Sequence, residues 1–230
     1  MADGDLKRRL KRFQRNHFPR YQKQLKQLVT DGQRPHTLFI GCSDSRVVPY
    51  LLMDAGPGEI FMVRNVGNLV PDYDGDAEAT GFDHHCADHA PFVAHGTAAA
   101  VEFAVLVLEV RDIIVCGHSH CGAMRALYQD PPAEAKHLRA WLALAKEASL
   151  PVVQSAEALE RVTQRNIVLQ LSRLQEYPMV KSRMEAGTLF LHGWYYPIES
   201  GSVRVLNVAS GQFESIDSSA DDVAYAFSLQ

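Results

Sequence analysis

The chain has no apolar run near the ~20 residues that a membrane-spanning helix needs; stretches such as 103–108 are far too short. Residues 1–15 are polar and basic with no apolar stretch, so no secretory signal is expected. Asp3 and Asp5, and the absence of Ser from that segment, argue against an organelle transit sequence. Cysteine is scarce: 4 residues in 230, with no secretion signal, read as metal-binding or buried thiols rather than a disulfide framework. The expected home is a reducing cytoplasm. An excess of one charge is missing too. A formal net charge of -4 and a pI near 6.2 exclude a global pull toward nucleic acid or anionic membrane, and neither partner is expected. Internal repeats and clear linkers are absent, so a single domain over 1–230 is expected.

What is present supports one sizeable core, since 47% of residues are hydrophobic and 22% charged. Leu6, Leu10, Phe13, Phe18, Tyr21, Leu25 and Leu28 recur at helical spacing, with Lys and Arg between them. Pro19 suits the first turn of a second helix, which predicts two short helices with a break near Phe18 and a stop at Gly32. The basic face is expected to be the solvated side of an arm, residues 1–35, that packs on a partner subunit.

Short apolar runs follow at 37–42, 59–63, 113–117, 188–192 and 203–207; the first four read as buried strands. Helical patterns cover 97–110, 133–146, 156–177 and 178–186. This alternation predicts an α/β fold with a mostly parallel central β-sheet flanked by helices. Two segments escape the pattern. Residues 71–95 are polar, turn-rich and aperiodic, and read as an inserted loop. Residues 208–230 turn acidic (Glu214, Asp217, Asp221, Asp222) and read as a loose surface tail.

The chemistry gathers at two strand ends. Cys42 closes the first run and is followed by Ser43-Asp44-Ser45-Arg46; the run 113–117 ends in His118-Ser119-His120-Cys121-Gly122. In parallel sheets ligands bind at the carboxyl ends of strands. A thiol from one end and a His-x-x-Cys pair from the other suit one zinc ion, and three protein ligands with an open position make a catalytic site rather than a structural one. The competing reading makes Cys42 and Cys121 buried structural thiols and His118 a hydrogen-bonded turn residue. Cys116, inside its apolar strand, reads as core.

These two motifs together resemble the paired signature of β-class carbonic anhydrases. Arg64-Asn65-Val66-Gly67-Asn68, Gly96-Thr97-Ala98-Ala99 and Leu191-His192-Gly193-Trp194-Tyr195-Tyr196 extend the likeness over roughly 5–207. The resemblance implies Zn2+ held by Cys42, His118 and Cys121, with Asp44 and Arg46 as the dyad beside it. It implies reversible hydration of carbon dioxide to bicarbonate and a proton by a zinc-bound hydroxide that Asp44 orients and Arg46 holds in place. In this family Asp44 either pairs with Arg46 or becomes a fourth ligand that closes the site; Gln33 and Phe39 favour the open arrangement. By position, Gln33, Phe61, Phe103 and Gly122 would bind substrate, Gln33 reaching over from a neighbouring subunit. Phe103 stands where plant-like members carry tyrosine. A homodimer or tetramer is implied. His120 is a potential proton relay, though an ordinary turn histidine is the simpler reading.

The loop holds Asp83, His84, His85, Cys86, Asp88, His89 and, at its end, His95, donors that suit a second metal. Their spacing fits no standard finger, and a lid or subunit contact is the preferred expectation. Asp72-Tyr73-Asp74-Gly75-Asp76 has the look of a calcium loop, but its glycine is misplaced and no Glu occupies the twelfth position. Two rival functions remain open: hydrolysis of carbonyl sulfide or carbon disulfide at the same centre, and a non-catalytic carboxysome assembly subunit. The run around His118 and the stretch 192–207 look like carboxysomal members, which admits a carboxysomal location. The intact Asp44 and Arg46 count against inactivity.

Overall fold

The computed structural model describes residues 2–73, 95–129 and 131–216. Helix α1 (Ala2–Arg12) runs through a π-helical turn at Phe13–His17 into α2 (Phe18–Asp31). The predicted break near Phe18 is therefore a bulge, not an interruption. Pro19 has no N–H, and its ring would press on a carbonyl one turn back; the wider turn, with Phe18 N–H bonded to Phe13 O, accommodates it. The arm stops at Gly32, whose φ of 79° few other residues adopt. No residue of α2 is buried.

Next come β1 (Thr37–Cys42), α3 (Pro49–Leu52), β2 (Ile60–Asn65) and α4 (Gly96–Glu102), the last continued by a π turn at Phe103–Val107. Then follow β3 (Asp112–His118), α5 (Gly122–Ala126), α6 (Lys136–Ala143), α7 (Ala156–Glu176) and α8 (Pro178–Glu185). The chain continues as β4 (Phe190–Tyr196), β5 (Arg204–Asn207) and β6 (Gln212–Ser215). The strands form one sheet in the order β2-β1-β3-β4-β5-β6, parallel from β2 to β4 and antiparallel from β4 to β6. The α/β class, the mostly parallel sheet and the helical arm agree with the patterning.

Two strands differ from it. β4 lies later than the expected 188–192 because it alternates buried and less buried positions instead of forming one apolar run. Its Gly193 lets α7 close on the strand: a Cβ there would sit 3.0 Å from side-chain atoms of Ile167 and Leu171. β6 forms inside the stretch read as a surface tail, with Phe213 packed against the core.

The main core lies between one face of the sheet and α4, α7 and α8. It joins Leu38, Ile40, Ile113, Val115 and Leu191 to Val101, Val105, Ile167, Leu171, Val180 and Met184, all buried. Each such side chain contributes about 1.5–3 kcal/mol on burial. On the opposite face a smaller cluster joins buried Phe39, Ile114 and Cys116, edged by partly buried Met53, Met62, Trp194 and Tyr196. A polar row on α7 fixes the segment after β2. Asn166 Nδ2 donates to Gly67 O (3.1 Å), Gln170 Oε1 accepts from Val70 N (2.7 Å) and Arg173 Nη1 donates to Val70 O (3.2 Å). These buried groups are satisfied only in this arrangement, which pins the segment over the end of β1.

Candidate metal centre

The sheet order creates the site. From β1 the chain goes to β2 on one side and later to β3 on the other, so the order reverses between β1 and β3 and opens a crevice at their carboxyl ends. Cys42 is the last residue of β1, His118 the last of β3, and Cys121 caps the start of α5. All three are buried, and their donor atoms lie within 4.8 Å of one another. The two sulfurs are 4.0 Å apart. A tetrahedral ion with metal–sulfur bonds of about 2.3 Å holds its sulfurs about 3.8 Å apart, so the pair is spaced for one.

His118 completes the set through its tautomer. Its Nδ1 lies 2.8 Å from the Ser119 carbonyl and must carry the hydrogen, which leaves Nε2 with a free lone pair. That Nε2 is buried without a hydrogen-bond partner, a costly state that a cation relieves. The Cys42 thiol is held far below its ordinary value, chiefly because the Cys121 S–H can donate to it. Cys121 is pushed up by the same contact, by burial and by the charge on Cys42. A metal ion bound between them would displace the thiol protons. Cys116, fully buried among Phe39 and Ile114, is pushed up by burial to about 12 and stays a thiol. This group is able to hold a metal ion.

Asp44 and Arg46 stand beside it as a two-pronged pair. Arg46 Nε donates to Asp44 Oδ1 (2.9 Å), Nη2 to Oδ2 (2.7 Å), and the Arg46 backbone N–H adds a bond to Oδ1 (3.0 Å). The Arg46 side chain, more than its charge alone, holds the Asp44 carboxyl well below the usual carboxylate range. Oδ2 lies 4.0 Å from His118 Nε2 and so borders the ligand set. A Cβ on Gly122 would meet nothing within 4 Å, so the start of α5 leaves open space.

Reading the sequence had left Arg64 without a role. Its Nε donates to Cys42 O (3.0 Å) and its Nη2 to Asp44 O (2.6 Å), which fixes the backbone on both sides of Ser43. Its place at the end of a strand beside β1, opposite Gly41, was the available signal. Asn65 closes the following turn, accepting from Leu69 N at Oδ1 and donating to Leu69 O from Nδ2, both at 2.8 Å.

Of the expected substrate residues, Gly122 adjoins the centre directly after Cys121, whereas Gln33, Phe61 and Phe103 do not join it within one chain. Phe61 pairs with Leu38 and Asn65 with Cys42, so Phe61 lies four positions back, about 13 Å along the strand. Phe103 packs on Phe61, ring centroids 5.7 Å apart, and is 41% exposed. Gln33 is exposed beyond the amino end of β1, which spans about 16 Å to Cys42. His84, His85, Cys86 and His89 lie outside the described residues, as do Asp83, Asp88 and most of the calcium-like run. Among the described residues His95 sits against Trp141, ring centroids 6.3 Å apart.

The sheet reversal, the Cys-His-Cys donors and the neighbouring carboxylate–guanidinium pair define an α/β protein with a three-donor group able to hold a metal ion. A carbonic anhydrase family model matches residues 37–203. A carbonic anhydrase of Pseudomonas aeruginosa is 42% identical over 211 residues, 89% of this chain and 88% of that protein. Among solved structures, the β-carbonic anhydrase CcaA matches with a TM-score of 0.80 at 34% identity, covering 95% of this chain and 93% of that one. A tetrameric β-carbonic anhydrase from Sordaria macrospora matches with a TM-score of 0.64 at 26% identity, covering 89% and 93%. The chain belongs to the carbonic anhydrase family, within its β class.

Proposed function

We propose that this chain is a zinc lyase that interconverts carbon dioxide and bicarbonate, with Cys42, His118 and Cys121 as the ligands. The observation that carries this reading is the unpartnered, buried His118 Nε2 facing two close sulfurs beside a paired carboxylate. When bound, zinc supplies a Lewis acid that makes water nucleophilic near neutral pH, a property for which carbonic anhydrases are the standard example. The chain's residues supply the rest. Asp44 Oδ1 is occupied by two N–H groups of Arg46, whereas Oδ2 takes one and borders the ligands, leaving it able to accept a hydrogen bond from the reacting O–H. Arg46 keeps that oxygen ionised and aimed. Because Arg46 occupies the carboxylate on both oxygens, Asp44 is drawn away from the fourth ligand position, which supports an open site.

Substrate contacts come, in this proposal, from a second copy. Gln33, Phe61 and Phe103 belong to the amino end of the sheet in their own chain, so they serve the centre of a neighbour. Support comes from the exposed apolar side chains on the arm and after α4: Leu6, Leu10, Phe13, Leu106 and Val107. The Sordaria macrospora relative is described as tetrameric, and a dimer or tetramer is proposed here. No described helix is long and apolar enough to cross a membrane; the free thiol chemistry of the site suits a reducing cytoplasm.

Stopped-flow hydration of carbon dioxide by the zinc-loaded protein tests the proposal, repeated with carbonyl sulfide as substrate. Rapid hydration with slow sulfide turnover is expected. Preferred turnover of carbonyl sulfide, or none of either by fully loaded protein, overturns it.

A further inference from the structure

The turn between His118 and Cys121 is held by a residue far along the chain. Ser119 N–H donates to Tyr196 O (3.0 Å), extending the β3–β4 ladder past its last strand residue. Ser119 Oγ accepts from Ile198 N (2.9 Å) and donates to Glu199 Oε2 (3.0 Å). The other carboxylate oxygen, Oε1, takes His120 Nε2. One carboxylate therefore grips both residues that separate the two ligands of this turn.

The turn needs holding. His120 has a φ of 54°, in the left-handed region that side chains other than glycine rarely occupy. That conformation presents the His120 carbonyl to Arg46 Nη2 at 3.0 Å, the same nitrogen that binds Asp44 Oδ2. Ser119 meanwhile offers its carbonyl to His118 Nδ1, which sets the ligating tautomer. An exposed ion pair does little for overall stability, and His120 and Glu199 are 49% and 59% exposed. The arrangement acts on local geometry instead.

We propose that Glu199 is a positioning residue for the metal centre: through Ser119 and His120 it shapes the turn that aims Cys121 and braces Arg46 against Asp44. The part concerning metal rests only on the ligand set; the part concerning the dyad rests on the proposed hydration reaction.

Glu199→Ala and Glu199→Gln separate the possibilities, each studied as the zinc-loaded full chain and after cobalt substitution. For Glu199→Ala, zinc transfer to a chelating dye should quicken about 10-fold or more, as for other groups that orient metal ligands. The cobalt(II) visible spectrum should shift, kcat should fall with KM nearly unchanged, and the melting temperature should stay close to that of the parent. Glu199→Gln, whose amide oxygen still accepts from Ser119, should fall between the two. Parental zinc release and an unaltered cobalt spectrum in Glu199→Ala overturn the proposal. So does a lowered melting temperature with unchanged release, which marks a purely structural role. Should release and spectrum change while even the parent fails to hydrate carbon dioxide, the positioning role stands and the proposed reaction falls.

Discussion

The two ends of the central strands are built differently. At the carboxyl end, Cys42, His118, Cys121, Asp44 and Arg46 converge within one chain, buried or hydrogen-bonded, with Arg64 and Asn65 bracing the backbone. At the amino end, Gln33, Phe61 and Phe103 are exposed or half-buried and touch none of those groups along the register. One chain thus gathers donors able to hold a metal ion, but not the proposed substrate contacts of Gln33, Phe61 and Phe103. The contrast teaches that metal binding and catalysis should separate experimentally: as proposed, the first belongs to the single chain and the second to the assembly.

The sharpest break in that comparison comes from the ligands. Cys42→Ser should lose nearly all zinc and all hydration activity, and elemental analysis showing a full complement of metal would refute the assignment. Asp44→Ala should keep its zinc and lose about 10²-fold or more in kcat, measured by stopped flow; parental kcat would remove Asp44 from the reaction. Phe103→Asp attacks the other end. It should shift the protein to smaller species in light scattering and cut activity while zinc content holds. In the same spirit, mixing reassembled Gln33→Ala and Asp44→Ala chains should restore part of the activity that each lacks, and no restoration would argue that each chain serves only itself.

Smaller effects refine the carboxyl end. The depressed value of Asp44 has a definite sign: its pairing with Arg46 stabilises the fold above the ordinary carboxylate value of about 3.9 and fades only as pH falls through a lower one. The ionised carboxylate band of Asp44 should therefore persist in isotope-edited infrared spectra at about pH 4. The smallest change is expected from Cys116→Ala, which should cost roughly 1 kcal/mol in denaturant unfolding and leave zinc content untouched, because that thiol belongs to the core.

Most of the carboxyl end was legible in the sequence. An apolar run ending in Cys42 and another ending at His118 are strong local signals, and a parallel sheet places both ends together. The arm, α4, α6, α7, α8 and the first three strands follow from the patterning, whereas the short helices α3 and α5 do not. Other features depend on groups that meet only in space. Glu199 is separated from Ser119 by the whole of α7 and β4, so no spacing rule links them. Arg64 could be seen at a strand end, but its grip on the carbonyls of Cys42 and Asp44 needed the β1–β2 register. β4 was displaced because alternation with Gly193 does not resemble a buried run. The π turn before Pro19 reflects a choice between kinking and widening that local sequence leaves open.

The 4.0 Å between Cys42 Sγ and Cys121 Sγ bears on which ion the protein accepts. Neighbouring strands lie about 4.8 Å apart whatever their side chains, so donors projected from β1 and from the turn after β3 inherit a nearly preset gap. That gap, with thiolate and imidazole at its edges, suits a small four-coordinate ion. It disfavours calcium, which wants six to eight oxygens, and magnesium, which keeps an octahedral shell of oxygens. For the proposed ion the sheet would serve as a gauge, through the pitch of its own hydrogen bonds.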